Sequence, residues 1–469
     1  MQNQLDESQR QLTEMRRDLA ALQAALTQKE TNAAAAPAPD RAAASTPADD
    51  SSSAQSIQAA IGDLRERQAL AESELATHEQ EKVESESRYP VKISGLLLFN
   101  GFVNTSAVDL AASPTTAVPG GGSTSATMRQ TILGLDARGP HFLGARSFAD
   151  LRVDFDGNPY SGSGASNYGV NANLLRLRTA HAGLQWNRTE TYFSFDRPIF
   201  NPDTPTSITA VAEPALAWSG NLWAWNPQLV VRQDWSVKAS RVLRMEGALI
   251  DVGDAPGTPS FNTTGSPALP PSGSEQSRWP GLEAHLSFLG SESADASHLG
   301  VGGYFSPHHT SIGYDFTAWA GTLDERFLLP AHLQLTGSFY RGLALGGLGG
   351  GVYKDFAYSQ YLPTGEFYIK PLDSVGGWTQ LKERFSQRVE LNAACGMDEV
   401  FAHELRRYAA SSGGFYQNLA RNRTYTGNII YSPSAYLLLS LEYRYIASAP
   451  TTGSAAGSNV IGLGAGYKF

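Results

Sequence analysis

The chain of 469 residues has one cysteine, Cys395, so no disulfide closes within it and a disulfide-stapled secreted fold is excluded. It has no run of about 18 consecutive apolar residues, so the sequence contains no helical membrane span. Positive charge is scarce. Lys and Arg number 36 against 45 Asp and Glu, and the net charge of −9 argues against a nucleic-acid partner. Residues 1–30 lack the apolar stretch and small-residue cleavage site of a secretory leader. If the protein is exported, the chain is expected to be a mature form or to start downstream of its true N-terminus.

Catalytic and cofactor signatures are also missing. His403-Glu404 has no second histidine four residues after the first, so it is not a zinc-protease helix. Gly346–Gly351 is not followed by the Lys-Ser/Thr of a phosphate loop. No Gly-x-Ser-x-Gly elbow appears in a strand–helix context. His308-His309 reads as a solvated turn. No enzyme activity, metal or cofactor is expected.

Glycine and aromatics are abundant, with 46 Gly, 19 Tyr, 20 Phe and 8 Trp, a composition that suits many short strands and turns. The last stretch, NVIGLGAGYKF (459–469), shows the pattern most plainly. Ile461, Leu463, Ala465, Tyr467 and Phe469 share one face; Val460, Gly462, Gly464, Gly466 and Lys468 share the other. An apolar face, a small polar-tolerant face and a final aromatic describe a transmembrane β-barrel strand. An edge strand of a soluble sandwich is the alternative for this stretch alone.

The first ninety residues follow a different period. Leu5, Leu12, Leu19 and Leu26 repeat every seven, as in a coiled coil. Ile57, Ile61, Leu64, Gln68, Ala71 and Leu75 show the same period in a second segment. Residues 1–30 and 54–88 therefore read as two coiled-coil segments, joined by an Ala/Pro/Ser linker at 31–53 in which prolines forbid a continuous helix. A lone helix of this length is marginal in water, so the pattern implies self-association.

From 89 to 469 the alternation predicts sixteen antiparallel strands near 91–104, 126–138, 146–157, 171–186, 189–200, 227–236, 240–252 and 279–289, then 298–306, 311–322, 331–342, 375–384, 387–399, 419–431, 434–446 and 458–469. Connections alternate long and short, with Pro307–Thr310 shorter than its class. Outer-membrane barrels have long external loops and short periplasmic turns. An even strand number places both ends in the periplasm. Leu151, Val153 and Phe155 alternate with Asp150, Arg152, Asp154 and Asp156, and Leu437, Leu439, Leu441 and Tyr443 with Ser440, Glu442 and Arg444. A dry core takes such charges only when they are paired, whereas a water-filled lumen removes the cost.

Three stretches carry a resemblance: RQTILGLDARGP (129–140), LWAWNPQL (222–229) and GSFYRGLALGGLGGG (337–351). They resemble segments of the DcaP-like trimeric outer-membrane porins. The resemblance implies a sixteen-stranded barrel, a homotrimer, a periplasmic N-terminal coiled coil and passage of small, often anionic, solutes.

Two groups of residues are candidates for the site. The loop 201–226 takes the position of the third external loop, which in general porins folds inward. Its Trp218, Trp223 and Trp225 either line a constriction or pack the loop against the wall. The inward parity collects Arg152, Arg176, Arg178, Arg232, Arg244, Lys382, Arg384, Arg388 and Arg444. It also collects Asp136, Asp154, Asp196, Asp234, Glu246, Glu283, Asp315, Glu390 and Glu442. Opposed charge rows across a narrow passage sort solutes by charge, and each such residue is otherwise a solvated wall residue. The expected function is passive diffusion of small hydrophilic solutes, carboxylates being one class the arginines would suit, through an outer-membrane barrel in contact with lipid and lipopolysaccharide; charges of both signs leave the anion or cation preference open. The alternative is a structural tether between outer membrane and cell wall, with the barrel as anchor.

Overall fold

Strands account for nearly all regular structure in the computed structural model, which describes residues 91–157, 174–237, 241–258, 271–293, 295–361, 363, 365–408 and 415–469. The expected coiled-coil segments at 1–30 and 54–88 and the linker at 31–53 lie outside the described residues.

The first strands are β1 (Val91–Val108), β2 (Ala117–Thr127), β3 (Ile132–Phe142), β4 (Ala145–Gly157), β5 (Leu174–Gln185) and β6 (Thr189–Asp196). After a long connection come β7 (Asn226–Ser236), β8 (Val242–Ile250), β9 (Gly281–Leu289), β10 (His298–His309), β11 (Asp315–Leu328) and β12 (Leu333–Leu343). A hairpin of β13 (Phe356–Tyr361) and β14 (Glu366–Pro371) interrupts the series. The last strands are β15 (Asp373–Arg384), β16 (Val389–Val400), β17 (Leu419–Tyr431), β18 (Leu437–Pro450) and β19 (Ala456–Lys468).

Seventeen of these form one sheet that closes on itself, because β1 pairs with β19 on one side and with β2 and β3 on the other. β2 and β3 follow one another along the flank of β1, so sixteen strand positions surround the barrel. Every pairing with a described register is antiparallel, as short turns between consecutive strands require.

The expected outward parity holds along the wall. Leu437, Leu439, Leu441 and Tyr443 are exposed on β18, while Leu438, Ser440, Glu442 and Arg444 are buried. Trp319, Phe339, Tyr425 and Tyr445 ring the outer face toward the long-loop end, and Trp235, Phe385, Tyr436 and Phe469 toward the short-turn end. An apolar band between aromatic girdles is what a bilayer imposes on a barrel exterior.

Several boundaries differ from expectation. Most of the predicted loop 105–125 is strand, since β1 runs on to Val108 and the Gly/Ser-rich β2 pairs along it. The exposed edge of β1 offers backbone partners, and ladder pairing tolerates small residues that sequence reading assigns to a loop. The segment Leu323–Pro330 is likewise strand through Leu328. Asp315, expected inward, sits on the outward parity of Thr317 and Trp319 at the start of β11, with its side chain 82% exposed beside His309. The connection at 447–457 shortens to 451–455 because β18 and β19 extend through it.

Candidate functional site

Residues 197–225, the long connection between β6 and β7, fold into the barrel. A loop so placed leaves backbone groups out of reach of bulk water, each costing about 1–3 kcal/mol if unpaired. Carboxamides on the inward parity of the wall meet them. The Thr206 amide donates to Gln380 Oε1 (2.6 Å), and the Thr206 carbonyl accepts from Asn428 Nδ2 (2.8 Å). Asn100 Nδ2 donates to the Ile208 carbonyl (2.8 Å). Gln130 donates to the Thr209 carbonyl (3.2 Å) and accepts from the Val211 amide (2.7 Å). Asn422 Nδ2 donates to the Trp218 carbonyl (3.0 Å).

Small residues on the wall make room for the same loop. A Cβ on Gly462 would lie 3.2 Å from Thr209, and one on Gly464 would lie 3.0 Å from Ile208. The glycine face of β19 is therefore a seat for the loop. At Gly220 the fit is tighter: φ is +100°, and a Cβ would stand 2.1 Å from the Gly377 carbonyl.

Charged side chains clamp the loop as well. Asp154 is fully buried and accepts from Arg176 Nε (2.9 Å) and Nη2 (2.7 Å), with Arg178 at 3.4 Å. The same guanidinia reach the loop: Arg176 donates to the Ala212 carbonyl (2.8 Å) and Arg178 to that of Val211. Glu442 accepts from Ser207 (2.5 Å), and Arg444 donates to Thr209 Oγ1 (2.9 Å). Asp154, Arg176, Arg178, Glu442 and Arg444, expected as pore-wall charges, thus all touch the loop or its clamps.

The three tryptophans are divided. Trp218 is buried and stacks on Tyr353 at 4.1 Å, within a cluster that includes Val352, Leu372 and Leu405. Of the two alternatives read from the sequence, packing describes its ring. Trp223 bridges edge-on between Trp218 and Trp225. Trp225 lies under the guanidinia of Arg176 and Arg178, at 5.1 and 4.8 Å, and is half-buried.

Below the loop, toward the short-turn end, the wall from β5 to β11 borders a cavity of about 440 Å3. Arg232 bridges Glu190 (2.8 Å) and Glu246 (2.7 Å), and Arg244 pairs with Asp234 through two bonds of 2.8 Å. His181 lies between Asp150 (3.0 Å) and Asp196 (3.1 Å). His285 lies between Glu246 (3.2 Å) and Asp324 (2.8 Å). His298 joins Asp324 to Asp203 of the loop at 3.3 Å each, and Arg326 also pairs with Asp203. Burial raises the Asp203 carboxyl, but His298 and Arg326 outweigh it and hold the group below its ordinary range. Arg197 also lines this cavity, and among the described residues no carboxylate pairs with its guanidinium.

A second cavity, of about 720 Å3, opens at the short-turn end between Ile208 of the loop and β15–β19. Arg384, Arg388 and Glu390 border it. Lys382 and Arg384 both pair with Glu390, at 3.5 and 3.1 Å. Arg152 pairs with Asp136 at 2.6 Å, both partly exposed.

Sequence reading missed Arg197, Asp203, His181, His285, His298, Asp324, Arg326 and the wall carboxamides. Inward parity was the available signal for Asp324, but it was lost when the strand was ended at 322. His285, His298 and the carboxamides share that parity but carry no fixed charge, whereas His181 falls on the opposite parity to Arg176 and Arg178 and turns inward only through the register shift of β5 between Leu177 and Thr179. Nothing local marks Arg197 or Asp203. The lumen is also drier than expected: Phe200, Leu222, Ile250, Tyr304, Tyr340, Leu345 and Leu348 form an apolar cluster inside the wall.

A closed sixteen-strand wall with an inward-folded loop is the architecture of an outer-membrane channel. The DcaP outer-membrane channel of Acinetobacter baumannii is similar over 81% of this chain and 97% of its own, at 17% identity and a TM-score of 0.56. An anion-selective porin from Comamonas acidovorans covers 81% of this chain and 100% of its own, at 10% identity and a TM-score of 0.48. The likeness to DcaP is one of fold, and it matches the resemblance carried by the three stretches at 129–140, 222–229 and 337–351. No protein-family model and no curated protein matches the chain.

Proposed function

We propose that this chain is an outer-membrane porin passing small hydrophilic solutes by diffusion, with residues 197–225 narrowing the lumen. The reading is carried by the charge-lined cavity enclosed between that loop and the β5–β11 wall. Short turns face the periplasm, the loops face outward, and three copies associate. The heptads at 1–30 and 54–88 form a periplasmic stalk. Arg232, Arg244, Asp196, Asp234 and Glu246 sort solutes on one wall. Lys382, Arg384, Arg388 and Glu390 do so at the periplasmic mouth.

A preference for carboxylates is supported by Arg197. Asp196, Asp203 and Glu246, which line the cavity with it, are held by arginine or histidine partners, which leaves this guanidinium to meet an incoming anion through its planar donor fork. No bond is made or broken, and no cofactor takes part. Reconstitution in a planar bilayer tests the reading. Discrete openings in threes, with a reversal potential on the anion side, are expected. A barrel that inserts and stays silent would instead favour the tether.

A further inference from the structure

The outer wall between β11 and β17 is not smooth. It carries a concavity of about 480 Å3 on the face turned away from the lumen. The register explains the hollow. Along one row of outward positions Leu323 pairs with Phe339, Phe339 with Gly377, Gly377 with Met397 and Met397 with Arg423. On the next row Gly337 pairs with Thr379, Thr379 with Cys395 and Cys395 with Tyr425. Gly337 and Gly377 leave a floor without side chains, walled by Leu323 and Phe339 on one side and Met397 and Tyr425 on the other.

Arg423 closes the end of the hollow nearest the long loops. It lies two positions before Tyr425 of the aromatic girdle, about 7 Å along the strand, which places it at headgroup level. The other outward arginines of this rim are paired, Arg341 with Asp373 (2.8 Å) and Arg421 with Glu399 (3.7 Å). Arg423 has no acidic partner among the described residues. Its Nε is shielded from solvent and makes no hydrogen bond. Glu325 marks the opposite end, four strand spacings or about 19 Å across the sheet.

We propose that this concavity docks a phosphorylated, acylated glycolipid of the outer leaflet. One acyl chain lies over Gly337 and Gly377, and a phosphate oxygen accepts from the Arg423 guanidinium. An apolar hollow open to the bilayer with one unpaired cation at its headgroup end matches that amphiphile in both shape and charge. Glu325 lies far enough from the phosphate to leave the match intact. The proposal rests on the barrel standing in an outer membrane but not on what passes through it.

Native mass spectrometry of the detergent-solubilised full chain, titrated with lipid A and with its phosphate-free analogue, is the test. The unsubstituted chain is expected to hold lipid A roughly tenfold more tightly than the analogue. Arg423→Gln removes that difference, while Thr379→Phe, which fills the hollow, weakens both. Equal lipid A binding by the native chain and both variants overturns the proposal. So does loss of self-association in Arg423→Gln by analytical ultracentrifugation, because the hollow is then a contact between copies. Bilayer conductance of Arg423→Gln is measured alongside. A chain that conducts but ignores the phosphate sinks the lipid site alone, and a chain that binds lipid A yet never conducts sinks the porin reading alone.

Discussion

Asp154 shows how one carboxylate organises several neighbours. It is fully buried between two guanidinia that also grip the backbone of the inward loop. Removing its charge leaves Arg176 and Arg178 without their shared counterion, and a buried charge left alone costs several kcal/mol. Both arginines are partly solvated, so the penalty is discounted to about 1–2 kcal/mol. Asp154→Asn is therefore expected to keep the barrel, as judged by heat-modifiable mobility on gels, while loosening the loop and raising single-channel current noise. Glu213, in the same loop, has a pH signature. Burial, with Asp109 and Asp156 nearby, pushes its carboxyl from 4.5 up to about 8. The docked loop thus keeps a proton that a released loop gives up above about 4.5. Docking is strongest below that value and loses this contribution as pH rises through about 8. Loop-dependent current fluctuations are expected to grow between about pH 4.5 and 8 and to level off above it, and Glu213→Gln is expected to hold them flat. Arg197→Gln is expected to shift the reversal potential toward cations without changing the folded yield.

The inward loop is held by several strands at once. Asn100 on β1, Gln380 on β15, Asn422 and Asn428 on β17 and Gln130 beside β3 each bond its backbone. Those bonds are neutral, so moderate salt does not release them. Glycines on β19 and β15 give the space. Gly464→Leu is expected to push Ile208 off the wall, and Gly220→Ala to block the approach to Gly377 altogether. Both should alter conductance more than thermal stability, since the ladder of β18 with β19 does not depend on the loop. Unchanged conductance in both variants would mean the loop does not narrow the passage. The connection between β12 and β15 is a second inward element. Lys354 is buried in it, and its ammonium donates to the carbonyls of Val352 (2.9 Å), Tyr416 (2.9 Å) and Leu419 (2.5 Å). Desolvation pushes that ammonium down to about 7, with Asp398 opposing.

At the scale of the whole molecule, the wall and its contents obey different rules. Outward positions of the wall carry an apolar side chain at every second residue, and that period of two is visible in the chain. All sixteen expected strands have a counterpart, with β3 starting at Ile132 rather than 126 and β11 running on to Leu328 rather than 322, and long loops alternate with short turns except at 310–314 and 451–455. The inner positions of β3, β4, β7, β8 and β18 were legible by the same parity. What the period leaves undetermined is which long loop turns inward, how deep it goes and which wall residues it meets. Asn422 bonds Trp218 across 204 residues and Asn428 bonds Thr206 across 222. Asp203 finds His298 and Arg326 only because the loop brings it to that part of the wall. Strand identity and facing follow from local chemistry, since each residue's solvent is set by its own parity. The partners of Arg176, Arg178, Asp203 and Gly462 follow only from closure of the cylinder, which brings distant strands to face one loop inside a single enclosed space.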